Sequence, residues 1–299
     1  MSAMSTTSWT VWTVWWHVGA WSFDADVWIG TAAIAAAYGY GRRRLILARG
    51  PKAAPVSRAW FMYLGLALQW FALQSPIAWL AGRLLSAHML HHMLLLVVAA
   101  PLIAAATPWA AFRFALPPSG RAELDRFGAA ADGTGPIGRI AAVLASPITA
   151  VVAFVGTLWL WHLPAAYDLT LRSPFVHEVE HAMFLATGIL FWSHAVGTSW
   201  LAARLSPGRR ILLISCGMAG SWFLSLILAF QPAAIYAPYL FTVHLVSGLT
   251  PLDDQRIAAG LMWAVGMIPF NLAIAMAIKR VMDAEDEAVA APEMRAERA

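Results

Sequence analysis

The chemistry-bearing residues of this chain are histidines, and two pairs of them have helical spacing. His88 and His92 are four residues apart, as are His177 and His181, so each pair projects from one face of a helix. His162 ends an apolar run within the sequence Trp-His-Leu-Pro. Neutral imidazole is a common ligand for copper, zinc and iron. These five histidines form the predicted metal site.

Carboxylates and thioethers are predicted to lie near the same histidines. Asp168, Glu180 and Asp254 can orient the imidazoles by hydrogen bonding as a supporting shell. Met89 and Met93 share the apolar run of His88, and thioether with imidazole suits Cu(I). A second interpretation stays open, because methionine also fills irregular packing between helices.

The composition indicates that lipid surrounds these residues. Of the 299 residues, 60% are hydrophobic and 12% are charged, whereas a soluble domain has about 25% charged residues. The net charge is +4, but the basic residues stand in short clusters between apolar runs, so nucleic-acid binding is not expected. A single cysteine, Cys216, excludes an intrachain disulfide and a cysteine-pair metal motif.

The pattern predicts an all-α integral membrane protein, a seven-span helical bundle. A span across about 30 Å of hydrocarbon needs roughly 20 apolar residues. The predicted spans are 27–41, 60–80, 87–108, 142–163, 176–196, 211–230 and 257–278. They form one membrane domain over 27–280, preceded by a Trp-rich extracytoplasmic segment (1–26) and followed by an acidic cytoplasmic tail (281–299).

The basic residues predict the orientation of the bundle. Each even-numbered loop holds one, namely Arg83, Arg172 and Arg256, and all others lie in the odd-numbered loops and the tail. Positive charge favours the cytoplasmic side, so the N-terminus is predicted outside and the C-terminus inside. Eight of the nine histidines then lie toward the outer face. His194 is the exception, and it is expected, with His17 and His91, to be a tolerated polar residue.

Enzyme motifs are poorly represented in the sequence. There is no glycine-rich phosphate loop and no Gly-x-Ser-x-Gly turn. The segment His177-Glu-Val-Glu-His181 has the histidine spacing of zinc proteases, but no third-ligand pattern follows it. A membrane metalloprotease is therefore a minor alternative, and the chain is expected not to be an enzyme.

Several of these motifs, in this order, resemble those of the CtaG-like cytochrome c oxidase assembly factors. The resemblance begins at His88-Met-Leu-His-His-Met93 and continues at Trp161-His-Leu-Pro164 with Tyr167-Asp168. It includes His177-Glu-Val-Glu-His181 with Phe191-Trp192, and Asp254-Gln255 before Gly260-Leu-Met-Trp263. It covers roughly residues 60–278, although His91 stands where another polar residue is expected.

The resemblance implies a multi-pass protein of the bacterial inner (plasma) membrane that supports assembly of a haem-copper oxidase, through supply of copper. Its partners would be an oxidase subunit or other assembly factors, within the lipid bilayer. Carried over by position, His88, His92, His162, His177 and His181 would hold the metal, supported by Glu180 and Asp254.

Two further functions remain open at this stage. One is a haem b electron-transfer protein with His92 and His181 as axial ligands. The other is a copper transporter, which would need polar or sulfur ligands in the inner half of the membrane. That half offers only His194, Cys216 and Met218.

Overall fold

The computed structural model describes residues 18–131, 135–196, 205–241 and 248–296, and within these ranges it is helical and contains no strand. His17 and His244, like most of the Trp-rich N-terminal segment, lie outside the described residues. The α-helices are α1 Ala25–Arg49, α2 Val56–Gln74, α3 Pro76–Ala81, α4 Leu85–Ala105, α5 Trp109–Ala115, α6 Pro118–Ala131, α7 Pro136–Leu144, α8 Pro147–His162, α9 Pro164–Arg172, α10 Pro174–Val196, α11 Pro207–Ala229, α12 Pro251–Ala264 and α13 Met267–Ala296. Short 3₁₀ turns occupy Val18–Ala20, Pro51–Ala53 and Ala237–Phe241.

Proline and small hydroxyl residues determine where many of these helices begin. Proline suits the first helical position because its missing N–H would have no partner there. A side-chain oxygen before the helix accepts a hydrogen bond from one of the free N–H groups. The residues that cap in this way are Ser75, Ser146, Ser206 and Thr250.

Three helical stretches of the described residues are long and apolar enough to cross a membrane. They are α4, α11 and the run Pro251–Glu285. A fourth candidate is α7 with α8, which meet at a bend of 55°.

Two predicted spans are interrupted in the structure. The span at 60–80 breaks at Ser75, where Pro76 starts a new helix. The span at 257–278 begins at Pro251 and has a break between α12 and α13. A side chain at Gly266 would overlap the carbonyl of Met262, so only glycine fits this break.

The two ends of the bundle are joined by different hydrogen bonds. At one end, Arg44 donates to the carbonyl of Leu116, and Arg280 donates to that of Val196. At the other end, Tyr239 donates to the carbonyl of Ala81. Because α10 has 23 residues, about 34 Å of helix separates its histidine-bearing start from its end at Val196.

Aromatic side chains fill the middle of the bundle between these ends. Phe154 and Phe191 stack with ring centroids 4.4 Å apart, and Trp192 lies 5.1 Å from Phe270. All four are fully or almost fully buried. The histidine-bearing end therefore rests on a closely packed aromatic layer.

Candidate metal centre

The start of α4 carries three histidines, and a buried carboxylate holds it in place. Asp254 of α12 accepts hydrogen bonds from the backbone N–H of Leu85 at 2.6 Å and of Ser86 at 3.2 Å. The Ser86 hydroxyl also donates to it. A helix N-terminus leaves its first N–H groups without partners and favours negative charge. Asp254 therefore caps the helix that presents His88, His91 and His92.

A π-helical segment, Leu94–Ala99, follows these histidines directly. A π-helical carbonyl bonds to the N–H five residues on, and for Leu96 that residue is Pro101, which has no N–H. The Leu96 carbonyl accepts a hydrogen bond from the Trp192 indole of α10 instead, at 2.9 Å. This bond joins α4 to α10 at a point on α4 that lies about one helical turn after His92.

Helix α10 supplies the facing side of the site. A Cβ at Gly188 would lie 2.9 Å from Ala100 Cβ of α4, so glycine permits the close approach of the two helices. His177, Glu180 and His181 lie at the start of α10, where positions separated by three and four share a face. Glu180 is only 1% exposed.

Four side chains converge with ligand atoms all within 4.8 Å of one another: His88, His92, His177 and Glu180. Nε2 of His92 is 2.5 Å from Nε2 of His88 and 3.4 Å from Glu180 Oε1. His177 Nε2 is 3.9 Å from Glu180 Oε2. Glu180, predicted as a supporting residue, is thus placed among the potential ligands themselves.

The tyrosine of the 3₁₀ turn Ala237–Phe241 orients His88. The Tyr239 hydroxyl donates to the Ala81 carbonyl at 2.6 Å and lies 3.0 Å from His88 Nδ1. His88 Nδ1 is therefore the donor to this oxygen, since the hydroxyl proton is engaged. In this tautomer the Nε2 lone pair faces His92 and Glu180, as a metal ligand requires.

His91 packs against the cluster, whereas the sequence predicts only a tolerated polar residue at this position. Its ring stacks on His181 with centroids 4.7 Å apart, and both rings are buried. Within the described residues, neither nitrogen of either ring has a hydrogen-bond partner. Positions 88, 91 and 92 have the i, i+3, i+4 spacing of one helix face, and that spacing is the signal that would have included His91.

His162 lies beside this group and is not one of the four converging residues. Its Nδ1 donates to the Leu158 carbonyl at 2.7 Å, and its Nε2 lies 3.2 Å from Met89 Sδ. Because the proton is on Nδ1, the Nε2 lone pair faces the sulfur. A small cavity of about 30 Å³ lies next to this pair, and Met93 lines it together with Met89, His92 and His162.

The two predicted aspartates have other contacts. Asp168 lies 3.7 Å from Arg172, one turn further along α9, and no described contact joins it to an imidazole. Asp254 caps α4, as described above, so it orients the imidazoles through the backbone and not by bonding to their nitrogens. The prediction for Asp168 rests on membrane depth and that for Asp254 on depth and the family resemblance, and neither specifies the partner of a carboxylate.

The donor set fits a metal ion. A buried polar atom without a partner costs about 1–3 kcal/mol, and two ligand atoms of the cluster, His177 Nε2 and Glu180 Oε2, have no hydrogen-bond partner in the described part of the chain. A cation bound to such lone pairs would offset that cost. Imidazole nitrogen with one carboxylate suits copper, zinc or iron.

The cap at Asp254 leads to a stability prediction. We expect Asp254→Asn to lower the free energy of unfolding by about 1–3 kcal/mol, because an amide NH₂ would face backbone donors in a buried site. Equilibrium unfolding in mixed micelles measures the change. Asp283→Asn, which alters an exposed ion pair with Lys279, is the control and should change little. Equal effects of the two substitutions would contradict the capping role.

Comparisons with known proteins agree with this arrangement of motifs. Relatives from Mycobacterium bovis (uncharacterized protein Mb0105) and Mycobacterium tuberculosis (uncharacterized protein MT0111) are each 27% identical over 285 residues, which is 92% of this chain. The chain spans 41% of the length of these relatives. No solved structure matches. The family profile described as cytochrome c oxidase caa3 assembly factor matches residues 36–284, and the chain therefore belongs to this family.

Proposed function

We propose that the protein binds copper at the cluster of His88, His92, His177 and Glu180 and delivers it to a subunit of a haem-copper cytochrome c oxidase or to another assembly factor. The convergence of these four donors within 4.8 Å carries the proposal. Membership of the caa3 assembly factor family supplies the biological context. The metal is cargo in this account, and the protein is not a catalyst.

The unequal burial of the four donors suits transfer. His88, His92 and Glu180 are buried, whereas the His177 side chain is 26% exposed. An ion held by three enclosed ligands and one accessible ligand can exchange the accessible one for a ligand of a docked partner. His162 with Met89, beside the cluster, adds a nitrogen and a thioether that suit Cu(I).

Seven membrane spans, with the N-terminus outside and the C-terminus in the cytoplasm, are part of the proposal. The basic loop after the first predicted span (27–41) meets the basic loop after the third (87–108) through Arg44 and Leu116. The loop after the second span (60–80) and the loop after the sixth (211–230), which are poor in basic residues, meet through Ala81 and Tyr239 at the histidine end. This arrangement supports a cluster at the outer face of a bacterial inner membrane.

A haem b protein is the second candidate, with His92 and His181 as axial ligands. Their ring centroids are 5.5 Å apart, but His91 lies 5.3 Å from His92 and 4.7 Å from His181. Neighbouring imidazoles so close to both rings favour an ion over a porphyrin macrocycle.

A copper transporter is the third candidate, and the middle of the bundle disfavours it. A path to the cytoplasm would pass the stacked rings of Phe154 and Phe191 and the pair Trp192 and Phe270. These residues offer no metal ligand along the route. Copper acquired and released at one face fits the packing better.

The copper proposal predicts metal binding that depends on the cluster. We expect detergent-purified protein to bind about one equivalent of copper, without a Soret band. Replacing two ligands in His88→Ala/His92→Ala should lower the affinity by more than about 100-fold. Metal analysis and a visible spectrum after incubation with copper or haem provide the measurement. His194→Ala, which removes a buried histidine near the other end of α10, is the matched control and should retain copper.

Each alternative outcome has a defined meaning. A Soret band lost in the double variant would replace the copper proposal with the haem b function. Absence of both signals in the wild-type protein would contradict any metal-dependent function of these histidines. Loss of copper in the His194→Ala control would contradict the assignment to the cluster.

The proposed topology predicts the labelling of single cysteines in intact cells. With Cys216→Ser as background, a membrane-impermeant maleimide should label Ala165→Cys at the histidine end. It should not label Ser57→Cys beside the basic first loop, because that site would face the cytoplasm. Both positions are exposed in the structure. The reverse labelling pattern would contradict the orientation.

A further inference from the structure

A groove beside the cluster is lined by residues of α1, α2, α4 and α10. It encloses about 270 Å³, which, at about 30 Å³ per water, accommodates an ion with part of its hydration shell. Its polar lining residues are Asp26, Thr31, Gln69, Glu178 and His181. All of these side chains offer oxygen or nitrogen atoms to a cation, and no Lys or Arg is among the lining residues.

The mouth of the groove is acidic. Asp26 and Glu178 are both exposed, and Asp24 is close enough to interact electrostatically with Glu178. Gln74 Nε2 donates to Asp24 Oδ2 at 3.1 Å, and its Oε1 accepts from the Asp24 backbone. This double contact fixes the start of α1 against α2. A cleft lined by charge of one sign concentrates ions of the opposite sign.

The inner part of the groove meets the metal cluster at His181. This side chain is 94% buried, since its exposure is 6%, and neither ring nitrogen has a hydrogen-bond partner in the described residues. Its ring lies 4.1 Å from that of His177 and 5.5 Å from that of His92. Thr31 Oγ1, also buried and without a described partner, lines the groove as well.

We infer that this groove is the route by which a copper ion reaches the cluster, with Asp26 and Glu178 attracting the cation and His181 passing it to His92 and His177. The inference rests on the copper-binding function proposed above. It gives His181 a role distinct from the four converging donors. It also separates loading, through the groove, from release at the exposed edge of His177.

The test is the rate of copper loading. Cu(I) held by a soluble coloured chelator, with ascorbate present, is mixed with the full chain in nanodiscs at low and high salt. We expect Asp26→Asn/Glu178→Gln to load about tenfold more slowly at low salt, within the range for electrostatic steering. The wild-type rate should fall as salt rises, while the rate of this variant should hardly change. Final copper content should equal that of the wild type.

A steric variant tests the route without changing charge. A Cβ at Gly30 meets no atom within 4 Å, so Gly30→Leu fits on α1 and occupies the groove. It should slow loading at every salt concentration. Gly156→Leu, at another position where a Cβ meets nothing within 4 Å, controls for the added side chain. Glu123→Gln/Glu285→Gln, at exposed carboxylates remote from the groove in sequence, controls for the lost charge.

The outcomes separate this inference from the proposed function. Slower loading in both groove variants, with normal final copper content and normal controls, supports the route. Normal loading rates in both groove variants would overturn the route and leave the copper function intact. Reduced final copper content in the charge variant would make Asp26 or Glu178 a ligand and overturn the route. A wild-type protein that binds no copper would overturn both.

Discussion

The structure depends on one constraint: polar side chains within a lipid-embedded bundle must find partners inside the protein. The histidines of α4 and the histidines and glutamate of α10 face one another, and several of their polar atoms have no hydrogen-bond partner among the described residues, which leaves them available to a metal ion. His88 and Glu180 are almost fully buried, and their ligand atoms lie within 4.8 Å of each other. A soluble protein could hydrate such groups at its surface. Here the same requirement that stabilises the bundle brings the donor atoms of a metal site together.

The geometry of α4 shows how backbone features support this arrangement. Asp254 fixes the start of the helix, and Trp192 bonds to the carbonyl that Pro101 leaves without a π-helical partner. Gly188 allows α10 to approach closely. None of these residues is among the four converging donors. Each limits the movement of the histidine-bearing segments, and preorganised ligands bind with a smaller loss of conformational entropy.

The sequence was sufficient for the helical class, for membership of the assembly factor family and for most members of the cluster. Helical spacing alone related His88 to His92 and His177 to His181. It did not reveal that His162 pairs with Met89, because that contact joins two helices whose relative rotation no local pattern specifies. Asp254 was identified as functionally relevant, but its partners are backbone N–H groups 168 and 169 residues away in the chain. The breaks at Ser75 and Gly266 are local in origin, because Ser75 and Pro76 start a new helix and Gly266 lies against the Met262 carbonyl, but the count of apolar residues in each span does not reveal them.

The copper-binding function proposed above requires that three imidazoles and one carboxylate surround the ion at the histidine end of the bundle. X-ray absorption at the copper edge of the copper-loaded chain measures this coordination. We expect a nitrogen and oxygen shell with the outer-shell scattering of imidazole, weakened in His92→Ala and unchanged in His194→Ala. A shell dominated by sulfur, or one without imidazole scattering, would contradict copper binding by these four side chains.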